Sequence, residues 1–279
     1  MTKSFRAQLV SAAGVRERLT SLGAMPKRSL SQNFLIDEKK RDAIIDALKP
    51  DSFSVLEIGP GLGSLTEALI LRAERVVAVE LDLVLSNALK AEFPNKNLSV
   101  LTADFLKQDF SSLYKALGSS PFLVAGNLPY AITSPIMFKL LSSNLPILRM
   151  ALMLQLEAAE RFFANPSERA YGPLTILTAC AYTARRLFEL PPSSFYPQPK
   201  VRSAVVLLER GPSPLPQEGF IEFLKTAFSM RRKTLANNLL QFYSSTDIER
   251  AFSLYGLDAS CRAEALNAQT LLSLYQALI

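Results

Sequence analysis

The sequence predicts an α/β fold: a parallel sheet covered by helices on both faces, followed by a small all-helical C-terminal domain. Three observations lead there. Five short apolar runs alternate with helical stretches between residues 54 and 157, as in a sheet whose parallel strands are joined by helical crossovers. A glycine-rich turn joins the first run to the helix after it, at the place where open sheets of this kind take their ligands. Beyond the Pro-rich stretch GPSPLP (211–216) the apolar spacing is helical only, so the chain is expected to divide into residues 1–210 and 217–279.

In chain order, residues 7–22 and 37–49 read as two helices flanking PKRSLSQNFLID. SVLEIG (54–59) is the first strand and SLTEALILRAE (64–74) its helix; RVVAVELD (75–82) and LVLSNALKAEF (83–93) are the second pair. LSVLTADF (98–105) is a third strand, PFLVAGN (121–127) a fourth, followed by the helical SPIMFKLLSS (134–143), and RMALMLQLE (149–157) a fifth. YGPLTILTACAYT (171–183) has helical spacing, and 184–197 and 201–210 read as two late strands. GFIEFLKTAFSMRRKTLANNLLQFY (219–243) continues as helix, with two shorter helices to follow.

The 279 residues are enough for one large and one small domain. With 31 Lys and Arg against 25 Asp and Glu, the net charge of +6 permits a polyanionic partner. Much of the excess lies in residues 1–50, with ten basic and five acidic side chains. The chain has no histidine, which excludes Ser-His-Asp hydrolysis, a His general base and His-ligated metal. Cys180 and Cys261 form no CxxC pair, so no metal site is expected and a reducing, cytoplasmic location is. No signal peptide or membrane-length apolar run is visible. The absence of a sustained heptad points to a monomer.

Chemistry concentrates at the carboxyl ends of the expected strands. Gly59, Gly61 and Gly63 of LEIGPGLG let backbone approach a ligand closely. Glu80 ends the next strand, where an acid accepts hydrogen bonds from ribose hydroxyls. The spacing is G-x-G-x-G, and Glu57 precedes it. Clustered carboxylates repel a pyrophosphate but tolerate a cofactor carrying an amino acid and a sulfonium. At the fourth strand stand Asn127, Leu128, Pro129 and Tyr130. An exocyclic amine on a heteroaromatic ring is a poor nucleophile, helped by acceptors for its N–H groups as positive charge develops. The Asn127 side-chain oxygen and the Leu128 carbonyl are such acceptors, Pro129 fixes the turn, and Tyr130 offers a stacking face.

The E-x-G-x-G loop resembles the first motif of S-adenosylmethionine (SAM) methyltransferases, in which an acid at the place of Asp104 binds the cofactor's adenine. SQNFLID, LEIGPGLGSLT, VVAVELD, GNLPY and FYPQPKVRSAVV, in this order, closely resemble the ribosomal RNA adenine-N6 dimethyltransferases, and most of all the bacterial KsgA type. SMRRKTLANNL resembles the family's C-terminal helical domain, so the likeness runs from about residue 20 to residue 279. It implies a Rossmann-like SAM-dependent sheet, S-adenosylhomocysteine as product, and dimethylation of two adjacent adenosines in a hairpin near the 3′ end of 16S rRNA. It implies that Asn33 and Leu35 line the cofactor site, that Gly59 contacts the cofactor's methionine part, Glu80 its ribose and Asp104 its adenine. Asn127 would touch both cofactor and target amine, Tyr130 would stack on the target base, and Phe195 would close the other face. Among the basic residues, the Arg231, Arg232 and Lys233 cluster is the first choice for RNA phosphates.

Three other readings stay open at this point. DNA-adenine and protein-glutamine methyltransferases use a similar [DN]-P-P-[YF] turn, but Leu128 departs from it. The antibiotic-resistance branch, acting on large-subunit RNA, usually has Ile where Leu128 stands. A non-catalytic assembly factor is the third, against which the intact set of Gly59, Glu80, Asp104, Asn127 and Tyr130 speaks.

Overall fold

The apolar runs assemble into one seven-stranded sheet in the order β4-β3-β2-β5-β6-β9-β7. Its strands are β2 (Ser54–Ile58), β3 (Arg75–Glu80), β4 (Leu98–Thr102), β5 (Phe122–Asn127), β6 (Ile147–Gln155), β7 (Tyr182–Leu190) and β9 (Ser203–Arg210). The computed structural model describes residues 9–94, 97–212 and 218–279. β2 is central and buried along its whole length, as strands covered on both faces are. Parallel pairs run β4 to β3, β3 to β2, β2 to β5 and β5 to β6. Chain order turns back at β2, with β3 on one side and β5 on the other. The gap between the carboxyl ends of β2 and β5 is therefore a topological switch point, where open sheets form a ligand crevice.

The sheet is not parallel throughout, as the sequence led one to expect. β9 runs antiparallel to β6, from Arg149 opposite Glu209 to Gln155 opposite Ser203. Residues 191–202, which lead from β7 into β9, hold no α-helix, and a parallel return needs a crossover that is usually helical.

Helix starts follow the capping residues. Ser11 caps α1 (Ala12–Ser21), Asp37 caps α2 (Glu38–Leu48) and Asp82 caps α4 (Leu83–Glu92), each side chain accepting from a first-turn N–H. α3 (Ser64–Ile70) instead starts from Gly63 in the left-handed region, φ 91°. Asp109 caps α5 (Phe110–Ala116), a helix the apolar pattern did not announce because it buries only Leu113. Next come α6 (Thr133–Leu141) and the short α7 (Leu156–Glu160). Ile44, Ile45 and Leu48 of α2 and Leu65 and Leu69 of α3 pack with Val55, Leu123 and Val205 of the sheet. Two further strands were not expected as such. β1 (Phe34–Leu35) pairs antiparallel with β8 (Phe195–Tyr196), Leu35 opposite Phe195, and fastens QNFL to the sheet-bearing unit.

The chain forms two units: residues 1–136, 145–159 and 185–210, and residues 137–144, 160–184 and 211–279. The second is larger than the expected 217–279. In it α8 (Pro173–Ala181) packs on α9 (Glu218–Ala227) and α12 (Ala268–Leu278). The expected continuous helix 219–243 is broken: α9 ends at Ala227 and α10 (Leu235–Leu239) begins anew behind its Thr234 cap. Asn238, buried, donates to the carbonyls of Ala227 at 2.8 Å and Met230 at 3.3 Å, satisfying groups a helix end leaves open. α11 (Ser245–Leu254) starts at Ser244. Of the expected hinge 211–216, residues 213–216 lie outside the described residues, as do residues 7 and 8 of the first expected helix. Among the described residues no helix is long and apolar enough to cross a membrane.

Candidate active site

At the switch point a cavity of about 300 Å³ is lined by the β2–α3 loop, the ends of β3 and β5, residues 103–106 and the segment 29–35. Its floor is shaped by Gly59 and Gly61, at φ 68° and 59°, a region that L side chains enter only at a cost. A Cβ on Gly61 would stand 3.1 Å from two ring carbons of Phe34. The Gly61 N–H donates to Glu80 Oε2 at 2.9 Å, and the Asp82 N–H to Glu80 Oε1 at 2.8 Å. Each Glu80 oxygen keeps a second lone pair, so the carboxylate is aimed and still able to accept from a ligand. Burial raises its pKa, while the two backbone donors act the other way.

Glu57 also lines the cavity. It is 1% exposed, and its Oε2 has no hydrogen-bond partner among the described residues. Burial pushes its carboxyl up to about 8, with Glu80 adding in the same direction and Thr66 opposing. A cationic group bound beside this buried acid favours its ionised form, so the carboxyl gives up its proton to pair with it.

Asp82 ties the N-terminal segment to this site. It is 4% exposed and its Oδ2 accepts from Lys27 Nζ at 2.8 Å and Gln32 Nε2 at 3.0 Å. Burial works to raise its pKa, but Lys27, Gln32 and the Val84 N–H outweigh it and hold the group low. Asp104 caps the short 3-10 turn Phe105–Lys107, its Oδ1 accepting from the Leu106 N–H at 2.9 Å. The same carboxylate lines the cavity, and Oδ2 remains an acceptor.

Asn127 donates its Nδ2 to the Asn33 carbonyl at 2.7 Å. That bond uses the amide nitrogen and leaves Oδ1 as an acceptor on a residue that lines the cavity. Asn33 in turn donates to the Ser31 carbonyl at 3.0 Å. Leu128 is anchored in the core, its N–H on the Met153 carbonyl at 3.1 Å. Pro129 lines the cavity and accepts from Ile132 N at 3.1 Å and Thr133 Oγ1 at 3.2 Å. Tyr130 does not line this cavity. Its half-buried ring is held by a 2.7 Å hydrogen bond between its hydroxyl and that of Ser203, which is itself fully buried.

One expectation changes. Phe195 is 1% exposed and packs in the core with Leu35 and Leu190, so its ring has no open face for a target base; pairing with β1 is what buries it. The Arg231-Arg232-Lys233 cluster sits in the turn between α9 and α10, all three exposed. Arg231 there is already engaged by Glu264 and the Arg169 carbonyl. Ser203, Gln32, Asp82 and Phe34 were missed as contributors. Gln32 and Phe34 flank Asn33 in sequence, but nothing in the spacing ties Ser203 to Tyr130.

The cavity fits a nucleoside with a cationic amino-acid tail. Glu80 and Asp104 are acceptors at the ends of adjacent strands, a glycine floor passes below, and one oxygen of the buried Glu57 has no hydrogen-bond partner among the described residues. Such a crevice, next to an Asn-Leu-Pro turn, defines a SAM-dependent methyltransferase. Comparison with known proteins makes the assignment particular. Residues 24–279 match the family Ribosomal RNA adenine dimethylase, and the chain belongs to that family.

Ribosomal RNA small subunit methyltransferase A of Desulfitobacterium hafniense is 38% identical over 263 residues, 92% of this chain and 94% of that protein. Its namesake in Nitrosospira multiformis is 39% identical over 247 residues, covering 87% and 92%. Among solved structures, a dimethyladenosine transferase from Plasmodium falciparum aligns with a TM-score of 0.70 at 28% identity, covering 86% of this chain and 95% of that one. The 23S rRNA methyltransferase ErmE aligns with a TM-score of 0.64 at 28% identity, covering 88% and 99%.

Proposed function

We propose that this protein dimethylates the N6 amines of two adjacent adenosines in a hairpin loop near the 3′ end of 16S rRNA, within the small ribosomal subunit. The observation that carries the chemistry is the Asn33–Asn127 bond, which occupies the Asn127 amide nitrogen and leaves Oδ1 as an acceptor on a residue that lines the cavity. The small-subunit target is supported by relatives at 38–39% identity that carry that name over nearly their full length, against 28% for the large-subunit enzyme.

Glu80 would hold the ribose hydroxyls, Asp104 the adenine amine, and Gly59, Asn33 and Leu35 the remaining walls of the cofactor site. Bound there, SAM supplies a methyl group activated by its sulfonium and leaves as S-adenosylhomocysteine. The protein's part is positioning and charge stabilisation. The N6 lone pair of adenine is delocalised into the ring. As it bonds to carbon, the nitrogen becomes positive and its N–H groups become strong donors. Asn127 Oδ1 and the Leu128 carbonyl accept them, and Pro129 holds both at fixed spacing. The proton passes to water, which suits a chain without histidine. Tyr130 supplies the stacking face, and Arg231, Arg232 and Lys233 meet RNA phosphates in the helical unit. Phe195, given its burial, takes no part in base contact. We place the protein in the cytoplasm as a monomer.

The test uses small subunits from cells lacking the protein, incubated with labelled SAM, and maps the label. Two adjacent labelled adenosines near the 3′ end are expected, and label in large-subunit RNA overturns the reading. Asn127→Ala should lower the rate by roughly 10²-fold, as loss of one charge-stabilising group does.

A further inference from the structure

The helical unit holds a second cavity, of about 390 Å³, which the proposed reaction leaves unused. It lies wholly within residues 138–231 of that unit. Its wall combines four cationic side chains, Arg161, Arg169, Lys225 and Arg231, with Phe138 and Phe228. Both phenylalanines are only partly buried, so ring surface is open to the cavity. The first turn of α8, Gly172 to Thr175, also opens into it. The first helical bond there is Ile176 N to the Gly172 carbonyl at 3.2 Å, so the Leu174 and Thr175 N–H groups precede the ladder, as helix N-termini that receive anions do.

The carboxylates nearby do not close this site to an anion. Arg231 gives Nε and Nη2 to Glu264 Oε2 at 2.9 and 2.7 Å, and Nη1 to the Arg169 carbonyl at 2.8 Å. A guanidinium has five N–H groups, so two remain, on a side chain already held in place. Lys225 pairs with Glu222 at 2.6 Å, both exposed, and such a surface pair is weak enough for a phosphate to compete.

From this combination we infer that the cavity is a socket for one nucleotide of single-stranded RNA, its base against Phe138 and Phe228 and its phosphate among Arg169, Lys225 and Arg231. Cations beside open aromatic faces are the means by which proteins hold unpaired bases without reading their sequence. This rests on the reading of the protein as an RNA methyltransferase and adds a contact in the other unit, where the substrate would be gripped rather than modified.

The test uses the full-length protein and a short single-stranded RNA carrying one 4-thiouridine. Binding is measured against salt for wild type and for the double variant Arg169→Ala, Lys225→Ala, whose side chains are exposed and stand outside the SAM cavity. The slope of log affinity against log salt should fall by roughly 0.7 per lost phosphate contact. Phe228→Leu, which keeps the apolar volume, should weaken binding by roughly fivefold or more while leaving the slope unchanged. Photocrosslinks should fall in 169–175 or 225–231. An unchanged slope in the double variant at unchanged melting temperature overturns the socket, as do crosslinks confined to other segments. Saturable binding of AMP at this cavity by a wild type that shows no measurable affinity for the RNA overturns RNA as occupant and makes this a small-molecule site. Methylation of small subunits by the wild type, measured alongside, separates failure of the socket from failure of the assigned reaction.

Discussion

The 2.7 Å bond between Tyr130 and Ser203 makes a quantitative claim about the stacking face. Ser203 is fully buried at the start of β9, while Tyr130 is half-buried and follows the Asn-Leu-Pro turn. If the ring serves the target base, the bond to Ser203 sets its orientation before RNA arrives. A neutral hydrogen bond contributes about 1 kcal/mol net, and stranding a buried partner costs about 1–3 kcal/mol. Ser203→Ala and Tyr130→Phe should therefore each lower kcat/KM for small subunits by roughly 5-fold to 150-fold. Because each removes the same bond, the double variant should be no slower than the worse single variant, a coupling of about 1 kcal/mol. Ser203→Thr, which keeps the hydroxyl, should recover most of the loss. Tyr130→Ala should lose the stacking face as well, about 1–3 kcal/mol more. Cofactor affinity by calorimetry should stay at the wild-type value throughout, since Tyr130 and Ser203 do not line the SAM cavity. Multiplying effects of the two single variants, or full activity in Ser203→Ala, would refute the positioning role.

Further outcomes concern Glu57 in the crevice and two glycines of the sheet-bearing unit. Glu57, pushed up to about 8 by burial, keeps a proton in the native state that the unfolded chain releases near its ordinary value of 4.5. Apo stability should thus fall as pH rises from about 4.5 to 8, at up to about 1.4 kcal/mol per pH unit, and Glu57→Gln should flatten that slope in thermal melts. A cationic ligand favours the ionised form, so SAM should bind more tightly as pH rises toward 8 with release of a proton, seen by calorimetry in buffers of different ionisation enthalpy. Close backbone approach makes Gly126 the more sensitive of two glycines. A Cβ there would stand 2.8 Å from the Ile58 carbonyl, and Gly126→Ala should cost about 1–3 kcal/mol by overpacking. Gly61→Ala, strained by its φ of 59° and touching Phe34 at 3.1 Å, should cost about 1–2 kcal/mol and weaken the cofactor because Glu80 loses its aim. Denaturant melts and calorimetry together check both.

Much of the site was legible because chemistry and backbone geometry coincide in short stretches. A glycine loop after a buried strand, an acid ending the next strand and an Asn-Leu-Pro turn on a fourth can be placed at one sheet edge from periodicity alone. Helix α5 escaped because one buried leucine makes no stripe. Residues 219–243 read as one helix because apolar residues resume at Leu235 after only the six residues Ser229–Thr234, and only the buried Asn238, capping α9 from α10, shows why the chain breaks there.

The sequence by itself determined the strand–helix alternation, the order of motifs along the crevice and the exclusion of histidine chemistry, since these depend on residue type and local spacing. Tertiary structure decided what depends on residues far apart in the chain. Pairing of β1 with β8 moved Phe195 from a base-contacting role into the core. The Asn33 carbonyl chose which end of the Asn127 amide is left to accept, and Ser203 gave the Tyr130 hydroxyl its anchor. Each is a contact between segments that periodicity treats as independent, because hydrogen-bond direction and burial are properties of the packed chain and not of the stretch that supplies the residue.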